Sequence, residues 1–390
     1  MPKKSKNSGR WNYTVRKPKV ALVYDRIYPY LKGGGERRFY EFGIRMAANG
    51  YEVHWYGMKY WDGPNTIEHD GIILHGLCKA RPMYTKSGRR SISQALIFGI
   101  SSFKLLFAEF DVIDCCGFPY FSLFPAKLAA MIRHKPLFAT WHEVWGKKYW
   151  REYLGLGGII GFKVEQLAAK LPDHIIATSQ HTANLLHKEL GISNSTVIVN
   201  GVDMDAIAAL KPTKNCIDII YVGRLMDFKN IHLIIEALAG LKKHGTVLSC
   251  SVIGEGPEET KLQRLATKLG VADQIKWLGT LEKSDDVYAH MKAAKVLVLP
   301  SMREGFGMVV IEANASGTPV LTANFSGNAA KDLIQDGMNG YVFEPTQDGL
   351  LLSLEKTFKN LKNLEHSTTK FTKSYDWSNL SYKLTEVYGI

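Results

Sequence analysis

Two glutamates that flank a glycine-rich turn are the residues of this sequence best placed for chemistry. Glu304 and Glu312 are separated by seven residues. The apolar run at residues 294–300 predicts a buried strand, and residues 308–316 predict a helix. Glu304 is therefore expected in a loop at the carboxyl end of a strand, where open α/β sheets bind ligands, with Glu312 about one turn inside the helix. Such carboxylates suit the hydroxyls of a ligand; the alternative is that they only complement the positive end of the helix dipole.

A pair of cations follows another predicted strand. Arg224 and Lys229 lie after the apolar run at residues 217–223 and just before a predicted helix that begins at residue 231. Arginine offers a bidentate fork and lysine a point charge, and a helix N-terminus itself attracts anions. The alternative is a solvated basic turn. Together with the two carboxylates at a second strand end of the same sheet, the cations suit a ligand that joins a diphosphate to hydroxyl-rich sugars.

Three contiguous glycines form a further candidate anion site. Gly33, Gly34 and Gly35 precede a predicted helix over residues 36–48, and glycines let backbone amides approach an anion closely. A dinucleotide fingerprint has the pattern G-x-G-x-x-G directly after a strand, whereas about seven residues intervene here. Nicotinamide binding is therefore disfavoured, and a plain flexible loop is the alternative.

A histidine and an Asp-x-Asp pattern complete the candidates. His142 ends the apolar run at residues 138–141, where a histidine is either a ligand contact or a structural side chain. Asp203 and Asp205 have the spacing of a D-x-D metal signature, but they lie in a predicted connector between domains. We assign no metal to them.

The surrounding sequence predicts two α/β domains, because strand-like and helix-like runs alternate in each half. Strands are predicted at residues 19–25, 51–56, 111–116, 137–141, 173–178 and 196–199, and then at 217–223, 247–253, 274–278 and 294–300. Helices are predicted at residues 36–48, 162–170 and 182–189, from residue 231, and at 258–269, 284–293 and 308–316. A polar segment near residues 200–215 separates the two series, which predicts two doubly wound parallel sheets.

Length and composition agree with two globular domains in a reducing compartment. The chain has 390 residues, of which 46% are hydrophobic and 22% charged. Its five cysteines show no C-x-x-C or Cys/His ligand spacing, so buried reduced thiols are expected. No apolar run approaches the ~20 residues that span a bilayer, and residues 1–19 lack a signal-peptide core. A cytoplasmic location is therefore expected.

The positive charge is concentrated in the first half of the chain. The net charge is +12; residues 1–200 hold 28 Lys and Arg against 15 Asp and Glu, and the remainder holds 21 against 22. Between residues 79 and 107 basic side chains accompany an apolar stripe, which suits an anionic membrane surface better than a nucleic-acid backbone. The alternatives are a core helix with a solvated basic end and a basic face for an acidic acceptor. The basic residues of this stretch are Lys79, Arg81, Lys86, Arg89, Arg90 and Lys104.

Assembled in order, these pieces resemble the retaining glycosyltransferases of family 4, which have the GT-B fold of two facing Rossmann-like domains. Glu304 and Glu312 match the E-x7-E signature of that family, and the resemblance covers nearly everything after residue 18. Asp332 stands where the family usually has glutamate, and Asn230 replaces a glycine that often follows the lysine. The segments that carry the resemblance are residues 33–38, 200–203, 223–229, 254–257, 300–319 and 326–337.

The resemblance implies a role for each candidate residue. Arg224 and Lys229 would hold the diphosphate of a nucleotide sugar, Glu312 would bond the ribose hydroxyls, and Glu304 would contact the transferred sugar. His142 would lie near that sugar. Catalysis would therefore involve Glu304, His142, Arg224 and Lys229. Further donor contacts are implied at Gly34, Gly35, Gly305, Phe306 and Gly307.

The resemblance also implies the domain boundaries and which domain binds the donor and which the acceptor. The predicted divisions are a disordered basic arm at residues 1–18, an acceptor-side Rossmann-like domain at 19–200, a linker at 201–215, a nucleotide-sugar donor domain at 216–374 and a crossover helix at 375–390. We expect a retaining, metal-independent transferase that moves a hexose from a nucleotide diphosphate sugar to a lipid-linked or envelope glycan. It would need no cofactor, bind no nucleic acid, and contact an anionic membrane on its cytoplasmic side through the basic N-terminal domain. The alternatives are an epimerase or phosphorylase of the same fold and a non-catalytic sugar-nucleotide-binding subunit.

Overall fold

The computed structural model describes residues 16–83 and 90–390. Most of the predicted basic arm, and Lys86 and Arg89 of the basic stretch, lie outside the described residues. Two large sheets and one small two-stranded sheet organise the rest of the chain.

The first large sheet is built from eight strands of the N-terminal half. They are β1 (Lys19–Val23), β2 (Glu52–Lys59), β3 (Thr66–His69), β4 (Ile72–Lys79), β5 (Val112–Cys116), β6 (Leu137–Trp141), β7 (His174–Ala177) and β8 (Ser195–Val197). Their order is β3-β4-β2-β1-β5-β6-β7-β8, and every neighbouring pair is parallel except β3 and β4. The six strands predicted here are confirmed; β6 has the predicted bounds, and the other five have shifted ends. Neither strand of the antiparallel pair was predicted: β3 is an edge strand whose only aliphatic residue is Ile67, whereas β4 lies inside the sheet with Ile72, Leu74 and Leu77 buried.

Helices cover both faces of this sheet. They are α1 (Gly34–Ala48), α2 (Ile92–Ser101), α3 (Leu123–Arg133), α4 (Gly146–Leu154), α5 (Gly158–Ala168) and α6 (Gln180–Leu190). Phe39, Phe42 and Met46 recur at helical spacing and give α1 one buried apolar stripe. This stripe packs on one face of the sheet together with the last helix of the chain, while α2, α3, α5 and α6 contribute to the core on the other face.

A short helix, α7 (Met204–Ala209), precedes the second large sheet. The strands of the second half are β9 (Ile217–Val222), β10 (Cys250–Ile253), β11 (Ile275–Trp277), β12 (Ala294–Leu299), β13 (Arg303–Glu304), β14 (Val320–Ala323), β15 (Gly327–Asn328) and β16 (Gly340–Phe343). Six of them form an all-parallel sheet in the order β11-β10-β9-β12-β14-β16, and β13 pairs with β15 beside it. The helices are α8 (His232–Lys243), α9 (Glu259–Lys268), α10 (Ser284–Lys292), α11 (Met308–Ala315), α12 (Gln347–Lys359), α13 (Leu361–Thr372) and α14 (Trp377–Tyr388).

The last helix returns to the first sheet. The side chain of Asp376 caps α14 by accepting a hydrogen bond from the amide of Ser378 at 2.8 Å. At the other end of α14 the Tyr388 hydroxyl donates to Asp114 of β5 at 2.6 Å. The predicted architecture of two Rossmann-like halves and a C-terminal crossover helix is therefore confirmed, although the residue boundaries of the domains stay a prediction.

The connector between the two sheets is held by α1. Arg38 is buried, and its guanidinium donates to the carbonyl of Val199 at 2.8 Å and to Oδ1 of Asn200 at 2.9 Å. Asp203, the first residue of the D-x-D pattern, caps α7 by accepting from the amide of Ala206 at 2.9 Å. The structure thus gives Asp203 a role in the helix start. Within the described part of the chain, no helix is long and apolar enough to cross a membrane.

Candidate active site

The centre of the candidate site is an ion pair between two of the predicted functional residues. Lys229 ends a 3₁₀ turn after β9, and its Nζ donates to Oε1 of Glu304 in β13 at 2.5 Å. Each of the two side chains is 15% exposed, so the pair is shielded but reachable. The sequence predicted separate partners for the two residues, a phosphate and a sugar. In the structure the two side chains instead form a direct charge-assisted hydrogen bond, which is stronger than a bond between neutral groups.

Two further hydrogen bonds bring these loops together. The amide of Met302 donates to the carbonyl of Phe228 at 2.8 Å, and the side chain of Asn230 donates to the carbonyl of Pro300 at 3.2 Å. Asn230 adopts a left-handed conformation with φ of 51°, which asparagine tolerates better than most residues. Asparagine can therefore stand at this position, where the family often has glycine, and it adds a bond between the two loops.

Arg224 lies on the same loop, five residues before Lys229, and is exposed. Its carbonyl accepts a hydrogen bond from the hydroxyl of Tyr221 at 3.0 Å. A neighbouring loop approaches so closely that a Cβ atom added to Gly254 would lie 2.1 Å from the carbonyl oxygen of Gly223. Gly254 also has φ of 125°, so glycine is required there. The glycine that begins segment 254–257 thus supports the shape of the Arg224 loop.

The glycine-rich turn after Glu304 forms a contact between the two domains. The carbonyl of Gly305 accepts from the Ser179 hydroxyl at 2.8 Å, and a Cβ added to Gly305 would lie 2.5 Å from the His142 carbonyl oxygen. Phe306 differs from its neighbours, because its side chain is buried in the core of the second domain. Gly307 caps α11 with φ of 97°, a conformation that favours glycine. These residues place the start of α11 against the first domain.

His142 lies just after β6, beneath this contact. Its Nε2 atom is buried and has no hydrogen-bond partner among residues 16–83 and 90–390. A Cβ added to Gly35 would come within 3.3 Å of that atom, so a glycine keeps the space above the imidazole open. Burial, together with the charges of Arg38 and Arg26, lowers the pKa of His142 to about 3. The imidazole is therefore neutral near pH 7 and has a nitrogen available to a polar ligand.

Substitution of His142 by glutamine is expected to make folding less sensitive to acid. The pKa of histidine is about 6.5 in an unfolded chain and about 3 in this folded protein. Between those values the unfolded state binds a proton that the folded state does not, so stability falls as the pH decreases. The contribution from this residue is at most about 1.4 kcal/mol per pH unit.

Urea unfolding of the protein and of H142Q at pH ~7.5 and ~5.5 measures this contribution. Because both proteins share all other titrating groups, the difference between their losses isolates His142. Equal losses of unfolding free energy in the two proteins would contradict the neutral state of this imidazole.

Glu312 lies on the second turn of α11 and has a cation from the opposite domain nearby. The hydroxyl of Tyr288 donates to its Oε1 at 3.2 Å. Burial raises the pKa of Glu312, while the charge of Arg37 on α1 and the bond from Tyr288 act in the opposite direction. Arg37 is itself paired with Glu41 on α1. Arg37 and Tyr288 were not singled out from the sequence, although Arg37 lies within segment 33–38, two residues after the last of the three glycines.

The first turn of α1 faces the first turn of α11 across the cleft. A Cβ added to Gly34 would lie 3.0 Å from Sδ of Met308, the first residue of α11. Two helix N-termini, each with unpaired amides and a positive dipole end, thus approach one another. The predicted site residues brought to this cleft are Gly34, Gly35, His142, Lys229, Glu304, Gly305, Gly307 and Glu312.

Comparisons with known proteins agree with this architecture. Residues 202–374 match the family model described as "Glycosyl transferases group 1", and residues 32–206 match the one described as "Glycosyltransferase Family 4". The two matches together run from residue 32 to residue 374 and include every candidate site residue.

Curated proteins with similar sequences match this chain over part of their length. Glycogen synthase of Mycobacterium tuberculosis is 29% identical over 205 residues, which are 51% of this chain and 49% of that protein. D-inositol 3-phosphate glycosyltransferase of Geodermatophilus obscurus is 30% identical over 202 residues, or 46% of this chain and 44% of that protein. The chain thus spans about half the length of these curated relatives.

Solved structures share the fold over almost the whole chain. Sucrose-phosphate synthase from Thermosynechococcus elongatus superposes with a TM-score of 0.78 at 17% identity, covering 96% of this chain and 98% of that one. The Anabaena protein HepE, solved with UDP-glucose, gives 0.73 at 18% identity, covering 95% and 99%. Successive family matches from residue 32 to 374, on this two-domain fold, show that the chain belongs to the family 4 glycosyltransferases of GT-B architecture.

Proposed function

We propose that this protein is a retaining glycosyltransferase that moves a hexose from a nucleotide diphosphate sugar to a glycan acceptor without a metal. The observation that carries the proposal is the Lys229–Glu304 pair, with 2.5 Å between Nζ and Oε1, at the strand ends of the second domain. The neutral His142 and the start of α1 lie opposite this region. Such a cleft offers cations for a diphosphate and acceptors for sugar hydroxyls on one surface.

The site residues contact different parts of the donor. Arg224 and Lys229 hold the diphosphate, with Glu304 orienting Lys229 and contacting the transferred sugar. Glu312 accepts hydrogen bonds from the ribose hydroxyls, and its contact with Tyr288 keeps the carboxylate in place. Assisting contacts come from His142 near the sugar and from the backbone amides of Gly34, Gly35, Gly305, Phe306 and Gly307. HepE, which shares the fold, was solved with UDP-glucose, and this supports a nucleotide sugar as the ligand.

Transfer then proceeds by charge stabilisation. The bond between the anomeric carbon and the diphosphate oxygen breaks, leaving positive charge on the sugar and negative charge on the leaving group. Lys229, Arg224 and the helix starts stabilise the leaving diphosphate with charges and dipoles already in position. The acceptor hydroxyl forms its bond to the anomeric carbon on the same face, and its proton passes to the departing phosphate oxygen. The configuration is thereby retained.

The acceptor side is assigned to the N-terminal domain at residues 19–200. Its basic surplus suits an acceptor linked to lipid or to an envelope glycan, reached from the cytoplasmic face of a membrane. We propose that the two domains close about the connector at residues 201–215, which Arg38 holds to the first domain. Closure excludes water and limits hydrolysis of the donor.

A panel of nucleotide sugars is expected to contain one that stabilises the folded protein. A ligand that binds only the folded state adds about 2.7 kcal/mol of stability at 100 times its Kd. Thermal unfolding in the presence of each donor measures this effect. If no nucleotide or nucleotide sugar shifts the unfolding temperature, the donor site is assigned wrongly.

Product analysis separates the proposed transferase from the alternatives. With the stabilising donor and a lipid-linked glycan mixture, mass spectrometry should detect an acceptor heavier by one sugar together with free nucleoside diphosphate. Conversion of the donor into a stereoisomer indicates an epimerase, and release of a sugar phosphate indicates a phosphorylase. Binding without turnover of any acceptor favours a non-catalytic subunit.

A further inference from the structure

The N-terminal domain exposes a large apolar surface away from its core. We define the apolar face as the solvent-exposed side of α2, the 3₁₀ turn Ser102–Phe107, α3 and α5. Ile100 is 68% exposed, Phe107 86% and Ile160 71%. Monomeric soluble proteins rarely expose contiguous apolar patches larger than a few hundred Å², and larger ones mark interaction surfaces.

The four segments of the apolar face are neighbours. The helix α3 packs against the turn Ser102–Phe107, and α2 contacts both. Arg133 of α3 donates to the carbonyl of Leu106 in that turn at 3.0 Å. The helix α5 contacts the turn Tyr120–Ser122, from which α3 begins.

Helical periodicity separates the exposed apolar residues from the core. On α2, Ile92, Leu96 and Ile100 recur every four residues and are exposed, while Phe98 of the same helix is fully buried. The same division occurs on α3, where Leu128 is exposed and Leu123 is buried. Each helix already supplies its core contacts through its other side. The exposed stripe is therefore available to a partner.

The exposed charges of the four segments that form the apolar face have one sign, while Glu109 and Asp173 beside the face are paired with Lys19 and Lys127. No exposed residue of its four segments is acidic, and the single carboxylate, Glu165, is buried. Glu165 accepts hydrogen bonds inside the domain from Tyr120 and Trp150, at 2.9 and 2.8 Å. Lys104 and Lys163 are the exposed charged residues of these segments, and the ammonium of Lys104 also donates to the carbonyl of Leu77 at 2.6 Å. This combination of apolar stripe and basic rim is complementary to an anionic bilayer.

A second copy of the chain fits this face less well. A two-fold symmetric interface places the same patch against itself. The exposed lysines of two copies would then meet with no acid in these segments to pair them, and like charges disfavour association.

The apolar face leads to the active-site cleft through α4. This helix packs against α5 and carries Tyr149, whose ring lies under the guanidinium of Arg303 with 4.0 Å between the guanidinium carbon and the ring centroid. Arg303 directly precedes Glu304 of the ion pair. Lys147 and Lys148 on α4 are exposed. The helix pair α4–α5 thus spans from the cleft mouth to the apolar face.

We propose that the apolar face docks on an anionic membrane, with Ile100, Phe107 and Ile160 inserted below the headgroups and Lys104 and Lys163 paired with lipid phosphates. The inference rests on the proposed function in one respect, the lipid-linked acceptor that docking would bring to the cleft. The docking itself needs only the exposed side chains and their charge.

Vesicle binding by the full chain tests this surface. The protein is expected to co-sediment with vesicles of phosphatidylcholine and phosphatidylglycerol, more weakly with phosphatidylcholine alone, and less at high salt. The triple variant I100S/F107S/I160S should lose at least about tenfold in affinity, because it removes apolar area from the inserted side. L352S is the matched control, since Leu352 of α12 is also 68% exposed but lies in the other domain. It should bind as the unchanged protein does.

Three outcomes would overturn the docking proposal. One is no co-sedimentation of the unchanged protein with anionic vesicles, and another is equal binding by the triple variant. The third combines two observations: the unchanged protein is a dimer in analytical ultracentrifugation without lipid while the triple variant is a monomer, and the unchanged protein does not bind vesicles. That result would make the face an interface between copies. Donor binding, measured by thermal shift without lipid, should be equal in the triple variant and L352S. Vesicle binding without sugar transfer would count against the proposed function alone.

Discussion

Replacing Lys229 by methionine is expected to lower kcat/KM for the nucleotide sugar by about 100- to 1,000-fold, the usual effect of removing one preorganised electrostatic group. Lys229 donates to Glu304 at 2.5 Å, and both side chains are largely shielded from water. The substitution removes the cation that stabilises the leaving diphosphate. It also leaves the Glu304 carboxylate without this partner beside a developing negative charge. Steady-state kinetics at saturating acceptor measure the effect.

The matched control for this variant is Lys261→Met. Lys261 lies on α9, within 3.9 Å of Asp227 at the start of the same 3₁₀ turn, but it is 73% exposed. An ion pair so exposed contributes little, so activity should change by less than about twofold. If both variants kept full activity, Lys229 would have no role in transfer. The double variant K229M/E304Q should lose less transition-state stabilisation, calculated from kcat/KM, than the sum of the losses in the two single variants. The reason is that the two side chains act as one bonded pair.

Replacing Gly305 by alanine is expected to lower kcat/KM by about 100-fold, the effect that a misplacement of roughly 1 Å can have on an oriented reaction. The new Cβ would lie 2.5 Å from the carbonyl oxygen of His142, which belongs to the backbone of the opposite domain. Backbone cannot move aside as a flexible side chain does, so the two domains must separate slightly. The first turn of α11 and the His142 imidazole would then no longer align on one donor. Kinetics together with a thermal unfolding curve measure this change.

Gly157→Ala provides the comparison for Gly305. The backbone of Gly157 has φ of −62°, and its nearest neighbour to an added Cβ lies 3.8 Å away. Alanine is therefore accommodated there, and both activity and unfolding temperature should stay close to those of the unchanged protein. A G305A protein with full activity would show that the close contact between the domains is not part of the active arrangement. Loss of activity with an unchanged unfolding temperature would support it.

Much of the fold could be predicted from local sequence patterns. The strands β1, β5, β6, β9 and β12 are short apolar runs rich in branched residues, and burial of both faces of a parallel sheet makes such runs easy to recognise. The edge strand β3 was not predicted, because an exposed edge strand need not be apolar. The apolar runs at residues 217–223 and 294–300 predicted Lys229 and Glu304 at two strand ends of one sheet, and the structure adds that β9 and β12 are neighbours.

The partners of those residues could not be predicted in the same way. That Lys229 bonds Glu304, or that Arg37 acts on Glu312, depends on contacts between residues 75 and 275 positions apart in the chain. The low pKa of His142 has the same origin, because burial and the charges of Arg38 and Arg26 arise only when β6, α1 and the loop after β1 pack together. Sequence spacing carries no information on such burial.

The two-domain α/β class and the residues at the strand ends could be predicted from local patterns, because periodicity, glycines and charged side chains are properties of short segments of the chain. How these residues act together depends on the packing of distant segments. That packing pairs Lys229 with Glu304, holds His142 neutral beneath Gly305, and brings the exposed apolar sides of α2, α3 and α5 to one side of the first sheet. Hydrogen bonds, desolvation and surface patches depend on distances in space, and those exist only once the distant segments of the chain have packed.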